Sequence, residues 1–274
     1  MPLILLIVKI YIKILISKVY KLNMKILAIQ NKMGIGDTII FLPFIKAISK
    51  KFGVPVSLLV KENSKANEFL NQTNYIDKII HLERDNQISQ KHDSFKGFFK
   101  LTSDIKKYEF DKVFIFNSSL RYNLISRLAG IKEIFQYPLF EKQNQHITEP
   151  AKAILKKYLN IETNENPEIQ IDNKLVQKSA VNFNINNDEL NILLGIGGSG
   201  PTKRIPSKTF LKVMEKLEVL KKCRFFLATG KNEDEQKILT KLYNTKFKEK
   251  CVALDNLNLR EILPIIKNCN VAIC

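Results

Sequence analysis

Histidine and cysteine are scarce in this chain, and their placement excludes most chemistry that depends on them. His81, His92 and His146 are isolated from one another and show neither a Ser-His-Asp arrangement nor metal-ligand spacing. Cys223, Cys251, Cys269 and Cys274 form no C-x-x-C pair and have no histidine nearby. A zinc site or a disulfide framework is therefore not expected, and buried free thiols in a reducing cytoplasm are. Long apolar runs are missing too. The longest uncharged stretch of the first segment, Met1–Val8, is too short to span a bilayer. No short-period repeat or low-complexity tract stands out.

What remains suits a globular protein. The chain has 274 residues, of which 45% are apolar and 26% charged, enough for a sizeable core and too balanced for disorder. The formal charge is +17, from 44 Lys and Arg against 27 Asp and Glu. Such a surface attracts phosphorylated substrates, an anionic membrane or nucleic acid, although a generally Lys-rich composition accounts for it as well. The basic residues are scattered with few aromatics among them, so a nucleic-acid partner is not expected.

Residues 1–23 are apolar and basic. Lys9, Lys13 and Lys21 share a helical face, with Lys18 close by, so the segment reads as an amphipathic helix on an anionic membrane. It also reads as a signal-like stretch lacking a small-residue cleavage site, or as an extension upstream of a start at Met24.

From Met24 onward, short apolar runs alternate with amphipathic segments. Strands are expected over Lys25–Gln30, Val54–Val60, Ile76–Leu82 and Asp111–Phe116, with helices over Asp37–Lys51, Ser64–Leu70, Phe95–Lys107 and Leu120–Leu128. Phe140–Pro150 reads as a connector, and Ala151–Leu159 as a helix. An Asn-rich link with a short strand at Glu168–Ile171 follows. A second series has strands at Asn191–Gly195, Cys223–Thr229 and Asn270–Cys274, and helices at Ser207–Leu220, Asp234–Phe247 and Leu259–Lys267. This is an α/β pattern of βαβ units with parallel sheets, in two Rossmann-like halves facing a cleft.

Three loops after strands carry candidate chemistry. Gly34 and Gly36 allow a tight turn beyond the first strand, and Asp37 is either a general base or the N-cap of its helix. The second is Gly195-Ile-Gly-Gly-Ser-Gly-Pro-Thr-Lys203-Arg204. Its glycine amides and basic pair suit a diphosphate, and Pro201 rules out a Walker A loop. The third, from Gly230 to Glu235, offers acids that would bind ribose hydroxyls or simply favour a helix N-terminus.

The order of these pieces resembles the heptosyltransferases of glycosyltransferase family nine, which act on ADP-heptose and lipopolysaccharide. MKILAIQNKMGIGDTIIFLPFIKAISKKF is similar to the family's opening strand, G-D turn and P-x-x-x-A helix. FDKVFIFNSSLRYNLISRLAGIKEIFQYP, GIGGSGPTKRIPSKTFLKVMEKL and LNLREILPIIKNCNVAIC resemble later family motifs in the family's order. The likeness implies a GT-B type fold and inverting, metal-independent sugar transfer to a lipopolysaccharide-core or related acceptor. On that likeness Asp37 takes a proton from the acceptor hydroxyl. Ser199, Thr202 and Lys203 bind the donor diphosphate, with Gly197 and Gly198 in the same loop. Glu233 serves the nucleoside and Arg121 an anionic acceptor.

Two departures from the family pattern are the family's D-x-Q, here Ile115-Phe116-Asn117, and its H-P-G histidine, replaced by Gly195. The family also continues with a D-[ST]-G loop where this chain ends at Cys274, so the second domain is expected to be incomplete and the chain truncated. The expected domains are an acceptor-side domain at 24–160, a linker at 161–190 and a donor-binding domain at 191–274. The expected partners are a nucleotide-sugar donor, an anionic lipid-linked glycan and the inner face of the cytoplasmic membrane. The protein would be monomeric, need no cofactor and contain no metal. The alternatives are an inactive fragment that retains anion binding and, from charge alone, a nucleic-acid-binding protein.

Overall fold

A computed structural model describes residues 23–32, 34–84, 90–139, 146–198, 200, 203–255 and 257–274. The chain divides into two compact units, Met1–Ile169 and Gln170–Cys274.

The first unit is built on a parallel five-stranded sheet. Its strands are β1 (Ile26–Gln30), β2 (Val56–Lys61), β3 (Ile76–Leu82), β4 (Lys112–Ile115) and β5 (Glu133–Gln136), in spatial order β3-β2-β1-β4-β5. The central strands are buried along their whole length, as continuous apolar runs such as ILAIQ require when helices cover both faces. The chain runs outward from β1 to β3 and then returns to β4 beside β1, so the strand order reverses between β1 and β4. In open α/β sheets that reversal opens a crevice at the carboxyl ends of the two strands, where ligands bind. The connecting helices are α1 (Ile35–Phe52), the single turn α2 (Ala66–Phe69), α3 (Ser94–Lys106) and α4 (Leu120–Leu128), with α5 (Thr148–Leu159) after β5. Leu101 and Ile105 of α3 and Tyr122 and Ile125 of α4 pack with Leu27, Ile29, Val113 and Ile115 of the sheet in one core.

The second unit has a parallel four-stranded sheet of β6 (Leu190–Gly195), β7 (Cys223–Ala228), β8 (Cys251–Ala253) and β9 (Val271–Ile273), in order β8-β7-β6-β9. Its reversal point lies between β6 and β9. Its helices are α6 (Asn173–Asn182), α7 (Ser207–Leu220), α8 (Glu233–Tyr243) and α9 (Leu259–Asn268). Phe210 and Met214 of α7 and Leu239 and Leu242 of α8 close over Ile192, Leu194, Phe225 and Leu227. α9 opens on a capping box between Asn258 and Glu261.

The structure corrects several local expectations. Residues 160–172 form neither helix nor strand, so no strand occurs at Glu168–Ile171. The division between the two units falls within the span 161–190, which also contains α6. Only Ser179 of that helix is buried, and such a thin stripe is hard to see among asparagines and lysines. Asn268 of α9 holds α6 by donating to the Val176 carbonyl and the Ser179 hydroxyl, both at 2.9 Å. β5 and β8 were not expected, being short edge strands with few apolar residues. Among the cysteines, Cys223 and Cys251 are buried and Cys269 partly so, but Cys274 is exposed. No helix among the described residues is long and apolar enough to cross a membrane. Residues 1–22 lie outside the described residues.

Candidate functional site

In the first unit the turn after β1 is set by Gly34, the N-cap of α1, at φ 102° and ψ 159°. That conformation strains any residue with a Cβ. Asp37 is therefore not the N-cap. It lies in the first helical turn, half-exposed, and its carboxylate has no hydrogen bond or ion pair among the described residues. Its backbone carbonyl accepts a hydrogen bond from the side-chain amide of Gln30, at 3.1 Å. The position of Gly36 is exposed, and a Cβ there would meet nothing within 4 Å. Packing within the protein does not demand glycine at this place.

A ladder of side-chain amides runs along the same carboxyl edge. Gln30 ends β1 and accepts the Lys32 amide at 2.7 Å. Asn117, just beyond β4, donates to Asn31 Oδ1 at 3.2 Å and accepts the Ser119 amide at 2.9 Å. Gln136 ends β5, donates to the Asn117 and Ser119 carbonyls at 3.0 Å, and accepts from Asn123 at 2.7 Å. These bonds tie the loops after β1, β4 and β5 together beside Asp37. The sequence marks them only as separate asparagines and glutamines that end strands. Register places them on one edge.

Arg121 has a structural engagement. Its guanidinium donates to the His92 carbonyl at 2.8 Å and to the Ser94 carbonyl at 3.3 Å, and lies over the Phe98 ring. Burial and the neighbouring Arg84 lower its pKa. None of these hydrogen-bond partners is a carboxylate; the nearby Asp93 carboxylate opposes the lowering.

In the second unit, Gly195 ends β6 and a Cβ there would lie 2.6 Å from Cys274 Sγ. A side chain at this position would require the Cys274 side chain to move. Gly197 and Gly198 follow, and a Cβ on Gly198 would lie 2.8 Å from the Lys203 carbonyl. The loop folds back on itself this closely because the glycine has no side chain. Lys203 is exposed and has no ion-pair partner among the described residues. Ser199 and Thr202 lie outside the described residues.

The acid that organises this loop is Glu235, which sequence reasoning missed. It is buried, 6% exposed. Its Oε1 accepts the Gly198 amide at 3.1 Å, and its Oε2 accepts the Gly230 amide at 2.8 Å. Arg204 lies beside it, with Nε 3.7 Å from Oε1, and also pairs with Asp234 at 3.0 Å. Glu233, two residues earlier, is 84% exposed and pairs with Lys237 one turn along α8 at 2.8 Å. Among the described residues no group of three or more His, Cys, Asp or Glu side chains is placed to hold a metal.

Comparison with known proteins places this geometry in a family. The profile of glycosyltransferase family 9 (heptosyltransferase) matches residues 98–274. Among solved structures, the chain is similar to E. coli ADP-heptose LPS heptosyltransferase II, at 14% identity and a TM-score of 0.69, covering 91% of this chain and 78% of that one. It is also similar to a family 9 glycosyltransferase from Veillonella parvula, at 15% identity and a TM-score of 0.70, covering 91% and 75%. E. coli heptosyltransferase WaaC, solved with ADP, aligns at 15% identity with a TM-score of 0.60, covering 91% and 80%. No curated protein matches in sequence. At these identities the solved structures establish the fold, with GT-B type neighbours and parallel sheets. The family profile supplies the rest: this chain is a glycosyltransferase and belongs to glycosyltransferase family 9, the heptosyltransferases.

Proposed function

We propose that the protein transfers a sugar, heptose in the first instance, from a nucleotide-sugar donor to an anionic glycan of the lipopolysaccharide-core type. Transfer proceeds with inversion and without a metal. The observation that carries this reading is the Asp37 carboxylate, unpaired among the described residues, at the strand-order reversal of the first sheet. A base needs a free carboxylate within reach of a bound hydroxyl. Asp37 takes the acceptor hydroxyl proton as that oxygen bonds to the anomeric carbon. The bond from that carbon to the donor diphosphate breaks, and the diphosphate leaves with the electron pair.

The Gly197–Gly198 loop and Lys203 receive the developing charge, with the Ser199 and Thr202 hydroxyls assigned to the same diphosphate. Glu233, exposed at the head of α8, is assigned to the ribose hydroxyls. Arg121, whose guanidinium bonds only backbone carbonyls among the described residues, is assigned to the anionic acceptor. The acceptor is lipid-linked, and the enzyme works as a monomer at the inner membrane face.

The test is direct. The purified chain is incubated with ADP-heptose and a heptose-deficient lipopolysaccharide core, with and without a chelator. Product of increased mass with inverted anomeric configuration, at the same rate in chelator, supports the proposal. No transfer from any nucleotide-heptose, or a rate abolished by chelation, contradicts it.

A further inference from the structure

We infer that α3 and α4 form a docking face for an anionic lipid bilayer. It is built from Phe95, Phe99, Leu120, Leu124 and Leu128 within a basic rim.

Five large apolar side chains on these two helices are exposed, although burial of such side chains is favourable. Phe95 is 76% exposed, Phe99 51% and Leu128 54%. They recur at helical spacing, Phe95 and Phe99 on α3 and Leu120, Leu124 and Leu128 on α4, so each set forms a stripe along one side of its helix. Both helices pack on the same sheet residues, Leu27, Ile29, Val113 and Ile115, so they lie on one side of the sheet. Arg121 of α4 lies over the Phe98 ring and bonds the backbone at the head of α3, which holds the two N-terminal halves side by side. Phe99 packs edge-on to Phe98 and Phe95 edge-on to Phe99, which carries the aromatic row outward from that contact. The opposite faces of both helices already fill the core through Leu101, Ile105, Tyr122 and Ile125. The exposed stripes are therefore not needed for folding.

Charge selects the partner. In SFKGFFKLTSDIK and LRYNLISRL the cations are Lys96, Lys100, Lys106, Arg121 and Arg127, five in all, and the single acid is Asp104. Asp104 is itself satisfied by Lys91, Lys100 and Lys107. Among the described residues Lys96 and Lys106 have no ion-pair partner, and the Arg127 side chain bonds the neutral Asn123. Apolar side chains inside a rim with more basic than acidic residues fit the acyl-headgroup boundary of an anionic leaflet, which rewards both. An acidic protein groove would satisfy the charge but leave a flat double stripe of Phe and Leu without a shaped pocket.

The location also fits. α4 begins immediately after β4, so Leu120 and Leu124 lie beside the carboxyl edge that carries Asp37 and Asn117. A bilayer on this face would present a lipid-anchored glycan to that edge. The inference deepens the membrane attachment proposed above. It does not depend on the transfer chemistry, because lipid binding is measured without donor or acceptor.

The chain contains no tryptophan, so Phe99→Trp introduces a single reporter on the face. With vesicles of phosphatidylethanolamine and phosphatidylglycerol, its emission should shift to the blue and be quenched by brominated acyl chains. Val219→Trp, on the exposed end of α7, should show neither change. In vesicle sedimentation of the full chain, Phe95→Ser with Phe99→Ser should lower partitioning roughly tenfold or more, and so should Lys96→Glu with Lys106→Glu. Thermal midpoints should stay unchanged in both. Phosphatidylcholine vesicles should bind weakly, and raised salt should release the protein. If the wild-type chain fails to bind anionic vesicles, docking and membrane attachment both fall. If it binds but both double variants bind equally well, this face is not the docking face, and attachment lies elsewhere.

Discussion

Glu235 and Gly198 are 37 residues apart in the chain, yet the carboxylate of one accepts the backbone amide of the other at 3.1 Å. Its second oxygen accepts the Gly230 amide at 2.8 Å. One buried acid thus clips the loop after β6 to the loop after β7 and fixes the curvature of the candidate donor loop. Gly230 makes room for it, since a Cβ there would lie 2.8 Å from Oε2.

Replacing Glu235 with Ala leaves two amide donors without their acceptor and Arg204 without one of its carboxylates. We expect a loss of about 1–3 kcal/mol in stability, and nucleotide affinity weakened roughly tenfold or more. Denaturant unfolding and calorimetric titration with ADP measure the two effects. Glu233→Ala, which removes only an exposed pair, should change stability by less than about 0.5 kcal/mol.

Two glycines should separate folding from function. A Cβ at Gly97 would lie 2.2 Å from the His92 backbone carbon. Gly97→Ala should therefore cost about 1–3 kcal/mol or more, as overpacking against backbone does. A Cβ at Gly36 meets open space. Gly36→Ala should leave the thermal midpoint unchanged or slightly raised, because alanine is the better helix former. If glycine is kept at 36 for close approach of a substrate, the same change should raise KM for the acceptor.

Acid should weaken the first unit in two stages. His92 is buried, and burial lowers its pKa from the ordinary 6.5 against the opposing hydrogen bond to Asp104. Its Nδ1 accepts the Glu83 amide at 3.0 Å, which leaves its proton on Nε2, facing Asp104. The folded histidine resists a proton that the unfolded chain accepts, so stability falls as pH drops through 6.5. Burial would raise the Asp104 pKa, but hydrogen bonds from Lys107, Lys91, Lys100 and His92 outweigh it and hold the carboxyl far below the ordinary 3.8. That contribution is present above pH 3.8 and is lost as the pH falls toward the depressed folded value. Urea unfolding across pH should show both limbs. His92→Gln should remove the upper limb, and Asp104→Asn should remove the lower one.

Much of the frame was legible in the residues. Buried strands such as ILAIQ and the centre of LNILLG are nearly continuous apolar runs, and the glycines after them mark turns at the carboxyl edge. Ile76–Leu82 and Ser207–Leu220 were placed to the residue, because sharp apolar periodicity and flanking breakers define them. β5 and β8 escaped notice because three or four residues on a sheet edge carry no period. α6 escaped because one buried serine does not make a visible stripe. In the candidate site, Gly34 and Gly198 were legible because their backbone demands are local. Glu235 was not: it differs from Glu233 only in which side of a helix it takes, and that depends on where the β6 loop lies. The Asn117–Gln136 ladder was hidden for the same reason, since the strand register that creates it is not local.

The proposal rests above all on Asp37 as the base. The decisive measurement compares wild type with Asp37→Asn in single-turnover sugar transfer, with nucleotide affinity measured in parallel. The account predicts a fall of about 10²–10⁴ in the transfer rate, with ADP affinity and thermal midpoint unchanged. Transfer at the wild-type rate by Asp37→Asn would contradict it.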